Sequence, residues 1–366
     1  MEKNEILLIY GKDIAAMAFL LAEEAGLNDL IGDRSKRIGL KPNLVVARPA
    51  SGGATTHPEI AAGLIAYLKK NGFANLAILE GSWTGASTAE AFSACGYRKL
   101  AKEAGVELID TKQDKTKTCD CRGIKIEICE SALVLDFMIN LPVMKGHCQT
   151  RLTCALKNNK GIIPDREKRR FHSLGLTKPV AHLNTVVRND FIVVDGICGD
   201  PDFEEGGNPL YAGRMFAARD PVLCDAWAAV QMGYAVQDIP YIGLAEKLGI
   251  GSADPGKAKV RELNTDGDHF NPASAASGKI REFAKYIDEN NACSACYASV
   301  IFALFRLGQS GLSRLRNKIC VGQGFKGKQG KLGVGRCTSL FTANCPGCPP
   351  SGTDILAFLT RENATL

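Results

Sequence analysis

Near the middle of the chain, Lys145, Gly146 and His147 follow directly on an apolar run that ends Asn140-Leu-Pro142, and Lys157, Asn158 and Lys160 come about a helix's length later. A lysine carries a lasting positive charge, whereas an imidazole gains and loses its proton near neutral pH. Together they fit a site for an anionic group with a proton to move. The competing reading leaves Lys145 and Lys160 in solvent and makes His147 a cap.

The second constellation is made of cysteine. The chain has 14, and six of them fall between Cys293 and Cys348. Cys293-Ser-Ala-Cys296 opens an apolar helical stretch, Tyr297 to Leu307. Two thiolates so spaced can face one metal centre, and backbone N–H groups at a helix start stabilise their charge. Cys320, Cys337, Cys345 and Cys348 follow, the last within Pro346-Gly-Cys348-Pro-Pro350. A cluster-ligating Cys followed by Pro also occurs in bacterial ferredoxins. The pattern predicts an iron–sulfur cluster, with 4Fe–4S the expected type. Structural zinc is the alternative, although the gap from Cys296 to Cys345 far exceeds the roughly 15–20 residues of a zinc ribbon. Buried thiols without a ligand are the third reading. Spacing alone leaves open which of the later four cysteines would ligate.

Other cysteines carry less. Cys119, Cys121 and Cys129 read as strand residues of a hairpin, Cys95, Cys198 and Cys224 as core, and Cys148 and Cys154 as flanking the central site. Gly322 to Lys328 approaches a phosphate-binding loop, but Gln329 stands where Ser or Thr should bind magnesium, so it reads as a turn.

The elements that must position these residues alternate in type. Glu5–Tyr10, a strand within 37–46, Leu76–Glu80 and Val106–Ile109 read as strands. Ile14–Ala25, His57–Lys70 and Ala89–Ala104 read as the helices between them. This alternation predicts βαβ units and a largely parallel, Rossmann-like layered sheet. Ala132–Leu141 reads as a buried strand ended by Pro142, with the lysine and histidine in the following βα loop and Thr150–Lys157 as the next helix. Ile124–Cys129 and Leu133–Leu141 are expected to pair. Phe191–Asp195 is a further strand, and Asp220-Pro221 opens the helix Val222–Met232. Residues 1–265 form the expected α/β domain, 266–279 a linker, and 280–366 a small C-terminal cysteine-rich, cluster-binding domain.

Composition excludes several classes. Net charge is +6 and thinly spread, and aromatic residues make up 7%, so a nucleic-acid partner is not expected. The acidic start and the short apolar runs predict neither a secretory signal nor a membrane span, hence a cytoplasmic protein. So many cysteines without a signal point to metal or redox chemistry rather than disulfides.

Several phrases together resemble the prokaryotic family called domain of unknown function 362. They are Lys41-Pro-Asn43, Glu80-Gly-Ser82, Leu141-Pro-Val-Met-Lys145-Gly-His147, Ala155-Leu-Lys157-Asn158 with Gly161, Val194-Asp195-Gly-Ile-Cys-Gly199, and Arg219-Asp220-Pro221 with Asp225-Ala226. Many such proteins carry an iron–sulfur module. The tail resembles a variant with Cys-x-x-Cys, then Gly335-Arg-Cys337-Thr, then Gly347-Cys348-Pro-Pro350. That resemblance implies Cys293, Cys296, Cys337 and Cys348 as the metal ligands, in place of Cys320 and Cys345.

These readings combine into an iron–sulfur oxidoreductase or electron-transfer protein of anaerobic metabolism, acting with a small anionic molecule and a redox partner protein. Lys41, Asn43, Lys157 and Asn158 are the expected anion-binding residues. Lys145 and His147 are the expected catalytic pair, and Asp195 would orient a base or bind a hydroxyl. Asp220 and Asp225 read as helix-start residues. A racemase or lyase of small hydroxy acids, with a structural cluster or zinc, is the alternative.

Overall fold

The computed structural model describes residues 1–264, 283–292, 294–350 and 352–364. Cys293, the whole of the expected linker and the last two residues therefore lie outside the described residues. The chain forms two compact units, one built from residues 1–146, 150–171 and 176–276, the other from 147–149, 172–175 and 277–366.

The first unit is built on an eight-stranded sheet. Its strands are β1 (Glu5–Tyr10), β2 (Ile38–Pro42), β3 (Leu76–Glu80), β4 (Glu107–Asp110), β7 (Phe137–Leu141), β10 (Phe191–Gly199), β11 (Leu210–Ala218) and β12 (Lys259–Glu262). Their order is β12-β1-β11-β10-β7-β2-β3-β4. All neighbours run parallel except those of β11, which is antiparallel to both β1 and β10. The protein is thus α/β with a largely parallel sheet. Strand alternation feeds two cores: Ile6 and Leu8 of β1 face one, Leu7 and Ile9 the other. Helices α1 (Ile14–Glu24) and α2 (Leu27–Ile31), which follow β1, and α3 (Pro58–Lys70), which links β2 to β3, pack in the second core through Met17, Leu27, Ile60 and Leu64. The helices α7 (Ala155–Asn158), α8 (Asp165–Ser173) and α9 (Thr177–Leu183) link β7 to β10. Leu156, Phe171 and Val180 of these place them in the first core. Helix α10 (Pro221–Gln231) follows β11 on that face, started by Pro221 and by the Asp220 carboxylate, which accepts from Val222 and Leu223 N–H at 2.8 and 2.9 Å.

Several expectations give way. The expected helix Ala89–Ala104 is two, α4 (Thr88–Ala94) and α5 (Tyr97–Ala104), because Gly96 turns at φ 80°. Ile124–Cys129 does not pair with the strand after it. Instead β6 (Lys125–Cys129) pairs with β5 (Thr116–Asp120) as a hairpin, and the short helix α6 (Glu130–Leu133) lets β7 join the large sheet. Lys145–His147 is not a loop but the strand β8, paired with β9 (Arg151–Thr153). The helix expected over Thr150–Lys157 shrinks to the four residues of α7.

In the second unit a four-stranded parallel sheet runs β13 (Ile287–Glu289), β14 (Ile319–Val321), β15 (Leu332–Val334), β16 (Ala343–Cys345). The connections from β14 to β15 and from β15 to β16 hold only single 3-10 turns, Gln323–Phe325 and Arg336–Thr338. The helices Ser294–Leu312 and Gly352–Ala364 belong to the same unit. No helix among the described residues is long and apolar enough to cross a membrane.

Candidate functional site

Strands β2 and β7 lie side by side, with Lys41 opposite Asn140. The chain leaves β2 across one face of the sheet and β7 across the other. This is a topological switch point, where the carboxyl ends of the strands open a crevice. Most of the expected site residues of the first unit meet there.

Lys41 is fully buried, and its Nζ donates to Glu80 Oε2 at 2.7 Å, Pro42 O at 2.8 Å and Asn158 Oδ1 at 3.2 Å. Burial lowers its pKa, against which the Glu80 carboxylate pushes up. Asn43 donates to Asn158 Oδ1 at 3.0 Å and accepts from Lys145 Nζ at 3.2 Å. Lys145, also fully buried, donates further to Ala54 O and to Glu204 O at 2.8 Å. Burial pulls its pKa down to about 7, with Glu204 pushing back. All three of its neighbours are acceptors, however, and only an ammonium offers a donor to each. Lys157 Nζ meets Thr153 Oγ1 at 3.1 Å and Glu204 Oε1 at 2.5 Å. Two lysines thus strap down one residue of the 200–209 connection, Lys145 by its backbone and Lys157 by its carboxylate.

Close approach here demands glycine. A Cβ on Gly161 would fall 1.8 Å from Glu80 Oε1 and 2.6 Å from Lys41 Nζ, and one on Gly146 would fall 2.0 Å from Pro201 O. Helix α7 is too short to hold itself. The buried Asp225 carboxylate receives Ala155 N–H at 2.7 Å and Leu156 N–H at 3.3 Å, and so aims Lys157 and Asn158 into the crevice. Asp220 is a helix-start residue as expected, but Asp225 lies inside α10 and caps α7 instead. Burial raises its pKa to about 7. Its neighbours Cys154 and Cys224 complete the group of three possible metal-ligand atoms that lie within 4.8 Å of one another among the described residues. Burial pushes both thiols up, towards the neutral form that does not ligate.

Asp195 sits inside β10 rather than at a strand end. Its Oδ2 accepts from His57 N and meets His57 Nδ1, both at 2.8 Å. Burial lowers the His57 pKa, but the charge and hydrogen bond of Asp195 outweigh it, and the net shift is upward. His57 went unnoticed in sequence, since its partner lies 138 residues away. Glu80 and Asp195 stand in the quoted motifs, whereas Glu204 had no motif at all. His147 is buried in β8, accepts from Gln149 N–H through Nδ1 at 3.1 Å, and groups with the second compact unit.

An amide chain leads away from the crevice. Asn158 Nδ2 donates to Asn140 Oδ1 at 2.7 Å, Asn140 Nδ2 to Asn189 Oδ1 at 2.9 Å, and Asn189 Nδ2 to Asn184 Oδ1 at 3.0 Å.

In the second unit, strand register sets the cysteines. Val334 pairs with Cys345, and the ladder continues through Gly335 N–H to Cys345 O and Arg336 N–H to Gly347 O, both at 2.8 Å. The next residues in line are Cys337 and Cys348. Cys296 Sγ lies 3.7 Å from where a Cβ on Gly335 would stand. Burial, followed by Asp288, pushes the Cys320 thiol up, and burial does the same to Cys345.

A model of the family "domain of unknown function (DUF362)" matches residues 38–230, which hold the whole switch point. A thylakoid-associated protein of Synechocystis sp. is 23% identical over 256 residues, covering 66% of this chain and 76% of that protein. The lactate racemase apoprotein from Thermoanaerobacterium thermosaccharolyticum is a structural likeness at TM-score 0.38 and 14% identity. It covers 58% of this chain, which spans 54% of the racemase. The match over residues 38–230 shows that this chain belongs to the domain of unknown function 362 family.

Proposed function

We propose that the protein is a cytoplasmic iron–sulfur oxidoreductase or electron-transfer protein that binds a small anionic molecule at the switch point. The observation that carries the cluster is the parallel sheet of the second unit, whose register brings the turns of Cys337 and Cys348 side by side, with Cys296 against Gly335. The donor set fits a four-iron cluster, for which four thiolates are the usual ligands. Cys296, Cys337 and Cys348 would hold it, with Cys293 as the fourth. Cys320 and Cys345 lie within the strands β14 and β16 rather than in the turns beyond them, and so suit the role less. When bound, the cluster supplies one-electron transfer to a partner protein.

In the crevice, Lys157 is the ammonium that an anionic substrate would meet, taking the place of the Glu204 carboxylate that touches it now. Lys41, Lys145, Asn43 and Asn158 hold the walls. The second reading, a racemase or lyase of small hydroxy acids with a structural cluster or zinc, draws on the His57–Asp195 pair, which could take and return a proton.

Anaerobic purification with iron, acid-labile sulfide and zinc analysis tests the first reading, and redox titration separates it from the second. Serine at Cys293, Cys296, Cys337 or Cys348 should abolish the brown chromophore, and serine at Cys320 should leave it. One zinc with no sulfide would overturn the cluster, and a cluster that takes up no electron at any accessible potential would leave only the second reading.

A further inference from the structure

We propose that the opposite, amino edge of the large sheet is a binding site for a small phosphorylated polyhydroxy molecule. A cavity of about 350 Å³ opens there, at the lower end of the roughly 300–1,000 Å³ typical of small-molecule sites. It lies where the sheet brings together the residues before β1, β2, β7 and β10. It also takes in the residue after β11, whose antiparallel course carries its last residue to this edge.

Four cations line the cavity: Lys3, Lys36, Arg188 and Arg219. Arg188 is matched by Asp190 at 2.8 Å. The others have no carboxylate partner within 4.0 Å among the described residues: Lys36 Nζ meets Ile31 O at 2.7 Å, and Arg219 Nη1 meets Met1 O at 3.0 Å. Four cations against the two carboxylates Asp136 and Asp190 leave the hollow net positive, and a dianion bound there relieves the repulsion that remains. The two acids of the lining are already engaged. Asp190 Oδ2 also receives Met138 N–H, and Asp136 Oδ2 receives Arg37 N–H, both at 2.8 Å. Their remaining lone pairs can accept from hydroxyl groups, and Asn189 Nδ2, one of whose hydrogens is given to Asn184 Oδ1, has a second to donate to one. Phosphate on the cations and hydroxyls on the carboxylates and Asn189 is the chemistry of a sugar phosphate. Buried beside these amides, Asn159 Oδ1 has no hydrogen-bond partner, while its Nδ2 donates to Asn184 and Asn189.

The test is calorimetric titration of the full chain with ribose 5-phosphate, ribose and inorganic phosphate. Ribose 5-phosphate should bind more tightly than either other probe, and more weakly as salt rises. Lys36→Gln and Arg219→Gln should each weaken it about tenfold. Asn189→Ala should weaken ribose 5-phosphate and leave inorganic phosphate unchanged. Lys99→Gln, on the exposed surface of α5, should change nothing, and unchanged urea melts of the lysine and arginine variants would show that they fold. Absence of binding at millimolar ribose 5-phosphate, or equal binding by the Lys36→Gln, Arg219→Gln and Lys99→Gln proteins, overturns the proposal. The site stands independently of the cluster and of the switch-point reading.

Discussion

The two edges of one sheet treat lysine in opposite ways. At the carboxyl edge Lys41, Lys145 and Lys168 are buried, and each ammonium has three protein acceptors; for Lys168 they are Gly81 O, Ser82 O and Asp165 Oδ1. A charge taken out of water must be matched by its surroundings, so these lysines tie strand-end loops together before they can touch a ligand. At the amino edge Lys3, Lys36 and Arg219 border a hollow and have no carboxylate within 4.0 Å among the described residues. The same residue type is a strap at one edge and a ligand group at the other.

The largest effect should come from breaking a strap. Lys145→Met leaves Ala54 O, Glu204 O and Asn43 Oδ1 without their donor, and should cost about 3–5 kcal/mol in urea denaturation. Lys36→Met at the other edge should stay within about 0.5 kcal/mol. Equal losses would erase the distinction between the edges.

Cutting the amide chain between the edges comes next. Asn140→Leu takes the acceptor from one Asn158 Nδ2 hydrogen and the amide donor from Ala155 O and Asn189 Oδ1, and should cost about 2–3 kcal/mol. A neutral result would mean that water replaces the lost amide.

Loosening the strap at its exposed end should have a smaller and opposite effect. Glu204→Gln removes the carboxylate that competes for Lys157, so lactate, used as a small anionic probe, should bind roughly fivefold tighter, worth about 1 kcal/mol. Weaker binding would make Glu204 part of the ligand site instead of its placeholder.

The smallest effect concerns His57. Its pKa is raised in the folded protein, so the stabilisation from the Asp195 pair is complete below the ordinary histidine value of about 6.5 and fades as pH rises through the raised one. The Tm deficit of His57→Gln should therefore be larger near pH 6 than near pH 9. A deficit independent of pH would show that the His57 backbone N–H, which also binds Asp195, carries the contact.

What the sequence by itself determined follows from local rules. Short apolar runs with intervening helices required a largely parallel sheet, Asp220-Pro221 required a helix start, and the spaced motifs drew Lys41, Asn43, Lys157 and Asn158 toward one place. Such signals lie within a few residues of one another, where sterics and capping act. Tertiary structure decided what those residues do. It paired Asp195 with His57, turned Asp225 from a helix start into the cap of another helix, and set Glu204 against Lys157. It also aligned Cys337 with Cys348 by register and opened the amino-edge cavity among residues from five strand ends. Each of these depends on groups far apart in the chain, and on which charges the fold removes from water, which no local spacing encodes.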